Sequence, residues 1–338
     1  MRHGLTILLL SLVVVALLLA NVWYGSLDIP CRAVWEILCG REVEGHHAWT
    51  YIIWEGRIPQ AITALLCGAS LSACGLMLQT SFRNPLAGPS ILGIDAGASL
   101  GVAVVMLMLG GTVTLGNLSA GGYLLVIMAA MAGALLVMAL LIVLSQILRN
   151  ALTLLIAGVV LSYVTGSIIQ LLSYLATEEG VHHYVLWGMG NFSNVSSDRL
   201  PVFVVLVFSG LAGALLLAKP LDALLLGERY AQNLGVNVRR VRQALLLVTG
   251  LLTAVTTAFC GPVAFLGLAV PHIARMLLHT GTHRVLLPTA MLVGAALALS
   301  CNLLCTLPGG ATVIPINVIT PLLGTPVILY VILGKNRF

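Results

Sequence analysis

The sequence predicts an all-α, polytopic membrane protein with about ten transmembrane helices, and three observations carry this prediction. Of its 338 residues, 59% are hydrophobic and only 8% are charged, whereas soluble domains carry roughly 25% charged residues. The mean hydropathy is +1.07. Ten apolar stretches are each about long enough to cross roughly 30 Å of hydrocarbon. They cover residues 5–24, 58–81, 91–110, 119–145, 152–175, 200–218, 243–259, 264–280, 285–306 and 313–334.

The basic residues predict the orientation. With the N-terminus inside and ten spans, twelve of the 16 Lys and Arg residues fall inside and four fall outside, which is the asymmetry of the positive-inside rule. Both termini are therefore predicted to be cytoplasmic. The net charge of +5 is assigned to the inner leaflet, so the lipid bilayer is the expected partner and no nucleic acid is expected.

The first span leads into an outer segment, residues 25–57, with the amphipathic character of an interfacial helix. Cys31 and Cys39 lie in it, and the sequence leaves open whether they form a disulfide. Arg57 stands at the mouth of the second span. It can be a snorkelling anchor or a contact for an outer partner, and both interpretations stay open.

A tight turn with two prolines and two glycines connects the second and third spans on the inner side. Asp95, just beyond it, is the one acid expected at membrane depth, where ionisable residues are usually functional, although a helix N-terminus would also suit it. The string Gly97-Ala-Ser99-Leu-Gly101 fits the G-x-S-x-G pattern of a hydrolase. Its position in a membrane helix favours helix packing instead.

The fifth span carries a stripe of small polar residues that includes Ser162, Thr165 and Gln170. Such a stripe can line an aqueous path or bridge helices, and the sequence does not decide between them. The outer loop that follows contains His182-His183, and a second pair, His46-His47, lies on the same side. Two pairs could bind a metal or haem iron, but adjacent loop residues define no geometry, so solvated histidines are the favoured interpretation.

Residues 219–242 form the longest strongly polar passage on the predicted inner face and carry five basic residues. Within this passage, residues 222–233 alternate apolar and polar side chains, and Leu234-Gly235 supplies the glycine expected after a helix. A solvated loop would not need so many leucines. We therefore predict one or two short helices that lie at the cytoplasmic surface and pack on a partner.

Gly261-Pro262 and Pro271 interrupt the seventh and eighth spans. Broken backbone at membrane depth is tolerated only inside protein or beside a cavity, so this region is predicted to be such a place. His272 and Arg275 share one helical face. They either cap an inner helix end or contact a cytoplasmic partner.

Six strings stand out along the chain: Arg57-Ile-Pro59, Asn84-Pro85-Leu86-Ala87 with Leu92-Gly93, Leu155-Ile-Ala-Gly158, the block 226–236, the block 261–275, and Pro315 to Pro326. They resemble the FecCD-type permeases, the membrane subunits of bacterial ATP-driven importers for iron-siderophores, haem and cobalamin. The resemblance covers nearly the whole chain. Two departures stand out: Gln60 replaces a second arginine of some members, and Val313 and Asn317 replace an acid and a glycine of many.

The resemblance implies the type II ABC importer permease architecture, a single transmembrane domain over residues 1–338. It implies a homodimer with its path along the dimer axis, two cytoplasmic ATP-binding subunits, and a periplasmic or lipid-anchored substrate-binding protein whose acidic patches would contact Arg57. Asn84 and Pro85 join Ser162, Thr165 and Gln170 as candidates for the path. The coupling helices that dock on the ATPase would present Leu224, Leu226, Gly227, Glu228, Arg229, Ala231, Leu234 and Gly235.

We therefore predict a permease of a bacterial inner membrane that moves an iron chelate, either a siderophore or haem; cobalamin is the alternative cargo. The chain has no G-x-x-x-x-G-K-[ST] loop, so it is not expected to be an enzyme or to bind a cofactor or metal, and ATP and Mg²⁺ belong to the partner. An ion-coupled transporter is disfavoured because, apart from Asp95, the spans hold hardly any ionisable residues. An intramembrane hydrolase using Ser99 and His272 would lack an orienting acid.

Overall fold

A computed structural model describes residues 2–41, 47–108, 120–148, 150–306 and 314–335, and these residues form helices and connecting turns without a strand. Two π-helical turns, Ile52–Arg57 and Val104–Met108, lie among the helices. The α-helices are α1 Arg2–Trp23, α2 Cys31–Leu38, α3 His47–Tyr51, α4 Ile58–Phe82, α5 Ile94–Ala103, α6 Ala120–Ile147, α7 Ala151–Leu175, α8 Glu178–Gly188, α9 Leu200–Leu216, α10 Ala218–Leu225, α11 Glu228–Asn233, α12 Val238–Cys260, α13 Leu266–Leu278, α14 His283–Cys305 and α15 Ile316–Lys335.

In the described residues, each of the ten predicted spans contains a helix, which confirms the polytopic all-α prediction. Among the described residues, 6 helices are long and apolar enough to cross a membrane, namely α1, α4 with its preceding turns, α6, α7, α12 and α14. A further pair, α9 and α10, is bent by 46°. The other three predicted spans are shorter apolar helices, Ile94–Met108, Leu266–Leu278 and Ile316–Tyr330.

Helix α4 occupies the centre of the bundle and packs against α12, α13 and α14. Its small residues permit this close approach. A Cβ added at Gly68 would meet the backbone of Gly294, and one at Gly75 would meet the backbone of Gly267. By contrast, only 22% of the most apolar window of α7 is buried within the protomer, so α7 presents most of its surface to lipid, water or another chain.

Charged side chains collect at two ends of the bundle. The basic end comprises residue 83, residues 219–242 and residues 279–284. The acidic end comprises residues 24–41, 47–57 and 176–199. Among the described residues of the acidic end, the exposed acids are Asp28, Glu55, Glu178, Glu179 and Asp198, against the exposed bases Arg32 and Arg41.

At the acidic end, α2 lies on the bundle with the amphipathic character that the sequence predicted. Val34 and Ile37 are buried against Val22 and Ile53. Cys31 and Cys39 stand at opposite ends of this helix, and both are exposed and free. Eight residues of helix separate their Cα atoms by about 12 Å, which is beyond the reach of a disulfide.

Candidate functional site

The prediction of short surface helices at residues 219–242 is confirmed by α10 and α11. Gly227 joins the two helices with φ of 121°, a conformation that L side chains rarely adopt. A Cβ at this position would also approach the guanidinium of Arg83 to 2.8 Å. Gly235, with φ of 82°, ends α11 as expected.

Hydrogen bonds connect α10 to the central helix α4. One carboxylate oxygen of Asp222 accepts a hydrogen bond from the backbone N–H of His283 at 2.7 Å and lies 2.8 Å from its Nδ1. The other ring nitrogen, Nε2, lies 2.8 Å from the hydroxyl of Thr80. Since His283 is only 1% exposed, this connection runs through the protein interior from the surface helix to α4.

Two arginines fix the same pair of helices from either side. Arg83, just after α4, donates to the carbonyl oxygens of Leu224 and Leu225 at 3.3 and 3.4 Å, the last carbonyls of α10. Arg242 of α12 donates to the carboxylate of Glu228 at 2.5 Å. The surface helices are therefore attached to α4, α12 and α14 together.

The structure divides the eight residues predicted to couple to an ATPase into two groups. Leu224, Gly227 and Ala231 are buried and hold the helices on the bundle, whereas Glu228 is bonded to Arg242 with its side chain 40% exposed. That these four couple to an ATPase stays a prediction. Leu224 and Ala231 belong to a small core of their own. The exposed members of the predicted set are Leu226, Arg229, Leu234 and Gly235.

The same surface exposes Leu225 and Tyr230, two apolar residues of the predicted short helices that are not among the eight predicted coupling residues. A short helix exposes neighbours along one face, and this signal was available in the alternation of apolar residues. A groove of about 650 Å³ opens beside this face between α4, α7 and α11. Its lining includes Phe82, Arg83, Asn150, Leu152, Leu226, Arg229, Tyr230 and Asn233.

Arg57 does not lie where an outer partner could contact it. Its side chain is 6% exposed. The guanidinium donates to the carbonyl oxygens of Val22, Trp23 and Leu27 at 3.0, 2.7 and 2.5 Å, where α1 ends. The anchoring interpretation fits this geometry. Contact with a binding protein would require the side chain to leave all three carbonyl oxygens, and the docking role stays a prediction.

Gln60 is likewise committed within the bundle. Its amide donates to Oδ1 of Asn302 at 2.9 Å, and the amide of Asn302 donates to Oδ1 of Asn21 at 2.8 Å. Asn21 in turn donates to the carbonyl oxygen of Leu299. This chain of amides connects α1, α4 and α14, which gives the departure at position 60 a structural reason.

The polar stripe of α7 is only partly where the sequence placed it. Ser162 is half-buried and Thr165 is buried, and both hydroxyls donate to carbonyl oxygens of their own helix. Gln170 is exposed. The exposed polar side is instead formed by Tyr163, Ser167, Gln170 and Tyr174, and the apolar side beside it by Val160, Val164, Ile168, Leu171 and Leu175.

Asn84 and Pro85 form the turn that ends α4. Oδ1 of Asn84 accepts a hydrogen bond from the backbone N–H of Leu86 at 2.9 Å. Nε2 of His272 donates to the carbonyl oxygen of Pro85 at 3.0 Å, and Arg275 donates to Oε1 of Gln79 at 2.8 Å. His272 and Arg275 therefore attach α13 to the end of α4 and to the turn after it, but neither caps a terminal helix carbonyl through these bonds.

The remaining polar candidates occupy separate places. Asp95 accepts a hydrogen bond from the hydroxyl of Thr257 at 2.6 Å. Ser99 is a hydrogen-bond partner of Tyr184 in α8; burial raises the pKa of this phenol, and the bond with Ser99 opposes the rise. Because Ser99 pairs with Tyr184 and His272 pairs with Pro85, the structure does not form the nucleophile and base of a hydrolase.

The histidine pairs differ from the expected loop residues. His182 and His183 lie in a helix, α8, with ring centroids 5.9 Å apart. His46 and the side chain of His47 lie outside the described residues. Among the described residues, no group of three or more His, Cys, Asp or Glu side chains is placed to hold a metal ion.

Asn317 near the start of α15 is a polar contact that the sequence noted only as a departure. Its side-chain amide donates to the carbonyl oxygens of Pro262 and Gly188 at 2.6 and 3.2 Å, and its Oδ1 accepts from the backbone N–H of Ala264 at 3.0 Å. One side chain thus contacts two other segments at once. Val313 lies outside the described residues.

Comparisons with known proteins agree over nearly the whole chain. The model of the FecCD transport family matches residues 12–334. The hemin transport system permease protein HmuU of Yersinia pestis is 33% identical over 340 residues, covering 99% of this chain and 97% of the relative. The vitamin B12 import system permease protein BtuC of Klebsiella pneumoniae is 32% identical over 333 residues, covering 98% of this chain and 93% of the relative.

A solved structure also matches the fold. It is described as an inward-facing conformation of a metal-chelate type ABC transporter. The match covers 97% of this chain and 98% of the matched chain. The TM-score is 0.82 and the sequence identity is 28%. The architecture is therefore that of a type II ABC importer permease, as the resemblance implied.

Proposed function

The chain belongs to the FecCD transport family, and on that premise we propose that it is the permease subunit of an ATP-driven importer for haem- or cobalamin-type cargo. One observation carries the proposal for its mechanism. The two surface helices at the basic end are exposed on one face and hydrogen-bonded on the other to the central helix, through Asp222, His283 and Thr80. A force applied to the exposed face therefore reaches the middle of the bundle.

We place the ATPase subunits on the exposed face of α10 and α11. Leu226 and Leu234 are 63% and 59% exposed, and Tyr230 is 52% exposed; such a concentration of large apolar residues marks a protein contact. Arg229 adds a positive charge at the centre. ATP and Mg²⁺ act on the partner, and the permease converts partner movement into alternating exposure of its path, because the partner's differential affinity for the two conformations shifts the equilibrium.

We assign the basic end to the cytoplasm and the acidic end to the outside of a bacterial inner membrane, with both termini cytoplasmic, following the positive-inside rule. The substrate-binding protein then docks at the acidic end. Arg57 can contact it only if the buried side chain leaves its three carbonyl oxygens. The exposed charges that are available to it include Asp28, Glu55 and Asp198 as well as Arg32 and Arg41.

A second copy of the chain completes the transporter. The polar side of α7 is exposed in a single protomer, and polar side chains that face hydrocarbon are costly. Tyr163, Ser167 and Gln170 therefore face water along the path at the dimer axis. The apolar side of α7 faces lipid or the second copy.

We propose an iron chelate, either haem or a siderophore, as the cargo, with cobalamin as the alternative. The haem and vitamin B12 relatives are nearly equally similar, at 33% and 32% identity. His182, which is exposed on α8 at the acidic end, inclines the choice towards iron, since imidazole is a common ligand of haem iron.

Co-purification tests the coupling face. The permease is isolated from its native membrane as wild type and as the double variant Leu226→Asp, Leu234→Asp, whose exposed positions tolerate the change. We expect an ATPase to co-purify with wild type and to be lost from the variant. Leu27→Asp, an exposed apolar residue at the acidic end, is the matched control and should retain it. Retention by the double variant, or absence from wild type, contradicts the proposal.

A further inference from the structure

The backbone between α12 and α13 is broken, and the two helices satisfy its outermost groups: the N–H of Gly261 donates to the carbonyl oxygen of Thr257, and the carbonyl oxygen of Phe265 accepts from the N–H of Ala269. Gly261 ends α12 with φ of 75°, and Phe265 precedes α13 with φ of 68°, a conformation that is uncommon for a residue with a side chain. Both helices belong to predicted membrane spans, so the groups between them, including the carbonyl oxygen of Pro262 and the N–H of Ala264, need partners from elsewhere in the protein.

Asn317 supplies partners on both sides of this break. Its Oδ1 accepts from the backbone N–H of Ala264 at 3.0 Å, and its amide nitrogen donates to the carbonyl oxygen of Pro262 at 2.6 Å. A primary amide carries an acceptor and two donors, and this side chain uses its acceptor and at least one donor on the break alone. The break is therefore attached to α15.

The same residue also attaches the end of α8. The amide nitrogen of Asn317 lies 3.2 Å from the carbonyl oxygen of Gly188, and its backbone N–H donates to the carbonyl oxygen of Met189 at 3.2 Å. The backbone N–H of Asn191 donates to the carbonyl oxygen of Cys260 at 2.8 Å. Residues 188–191, 260–264 and 316–317 thus form a three-segment junction.

The junction is also tightly packed. Gly190 has φ of 72°, and a Cβ at this position would approach Ile316 to 2.9 Å and the carbonyl oxygen of Pro262 to 3.0 Å. A Cβ at Gly261 would approach the carbonyl oxygen of Trp187 to 2.5 Å. No larger residue fits at either position without movement of the backbone, so the three segments have to move together or separate.

We propose that Asn317 is a positioning residue that keeps the acidic end closed by holding the three segments of the junction together. The proposal rests on the proposed function, because α8 belongs to the acidic end, which has to open to admit cargo. The matched structure is inward-facing, and in that state the outer side is closed. Opening the acidic end would separate α8 from α13 and α15 and break the hydrogen bonds of Asn317.

Hydrogen exchange at the Asn191 amide tests this proposal, because Asn317 makes no bond to that amide. The complete complex with its ATPase is placed in nanodiscs, and exchange is followed by mass spectrometry with fragmentation. In Asn317→Ala we expect the Asn191 amide to exchange about tenfold faster, the change that roughly one net hydrogen bond produces. If Asn317 served only Ala264, the Asn191 amide would stay as protected as in wild type, which overturns the proposal.

Two further variants make the result specific. Asn317→Asp keeps the shape and the acceptor for Ala264 but loses the donated bonds. It replaces Asn317→Ala as the test variant if the alanine variant folds poorly, and the same faster exchange at Asn191 is expected. Thr320→Ala is the matched control; it lies one turn further along α15, and its hydroxyl donates only to Ile316 of the same helix. Faster exchange at Asn191 in this control would show general loosening of α15 and would contradict the role of Asn317.

The role in opening is tested on wild type with and without a non-hydrolysable ATP analogue. We expect exchange at the Asn191 amide to differ at least about fivefold between the two states, which corresponds to about 1 kcal/mol in the opening equilibrium. Equal exchange in a complex that binds the analogue overturns the role in closure. A permease that binds no ATPase would instead contradict the proposed function, so the two failures are distinguishable.

Discussion

Arg57 is held by three carbonyl oxygens where α1 ends, and its removal leaves them buried without a donor. Hydrogen bonds to a charged group contribute about 1.5–3 kcal/mol each. We expect Arg57→Ala to lower the melting temperature of the detergent-solubilised protein by several degrees, and Arg57→Lys to restore part of the loss. Thermal unfolding followed by intrinsic fluorescence measures both.

Arg32→Ala is the control for Arg57. Arg32 is 91% exposed and pairs only with Glu36 one turn away, and such surface pairs contribute about 0.3–0.5 kcal/mol. Its melting temperature should match that of wild type. If the folded Arg57→Ala protein loses affinity for a binding protein without a change in stability, the anchoring role is wrong and the docking role returns.

Asp95 distinguishes an ATP-driven transporter from an ion-coupled one. Its carboxylate accepts a hydrogen bond from Thr257, and Asn in its place can still accept that bond through its carbonyl oxygen. We expect Asp95→Asn to transport at close to the wild-type rate in ATP-loaded proteoliposomes, with or without a proton gradient. If wild type takes up cargo without ATP when a proton gradient is present, and Asp95→Asn loses this uptake, the ion-coupled alternative would be supported.

Among the elements, the surface helices α10 and α11 should transmit movement through Asp222. Asp222→Ala removes the acceptor for both the backbone N–H and the ring of His283, while the exposed face that binds the ATPase remains. We expect ATP hydrolysis to continue and cargo transported per ATP to fall about tenfold, since a buried donor left unpaired costs about 1–3 kcal/mol.

Gln232→Ala is the matched control for Asp222, because Gln232 is exposed on α11 and should leave the transport ratio unchanged. Both quantities are measured on the same proteoliposomes, as phosphate release and cargo uptake. An Asp222→Ala complex that transports as efficiently as wild type would exclude this connection as the coupling route.

The same elements show what sequence reasoning can reach. The ten spans and the two surface helices were predictable because apolar length and helical alternation are local signals. The burial of Leu224 and Ala231 was not, since it depends on how α10 and α11 pack together against Val238 of α12. The acceptors of Arg57 and Asn317 lie 30 or more residues away in the chain, and no local pattern indicates such pairs.

In the whole transporter, we expect water along the polar side of α7. Ser167→Cys and Gln170→Cys should react with a membrane-impermeant maleimide, whereas Ile168→Cys on the neighbouring apolar side should not. The background carries Cys31→Ser and Cys39→Ser, because these two cysteines are exposed and the other five are buried. Equal labelling at positions 167 and 168 would contradict a water-filled path beside α7.

That residues 1–338 form a single domain stays a prediction.

ATP-dependent uptake tests the central claim most directly. The permease and its co-purified ATPase are reconstituted in proteoliposomes with the binding protein, and uptake of haem and of cyanocobalamin is followed with wild type and with the double variant Leu226→Asp, Leu234→Asp. We expect wild type to take up one of the two cargoes, with haem favoured, and only when ATP is present. The double variant should take up neither. Uptake without ATP, or equal uptake by the double variant, would contradict the central claim.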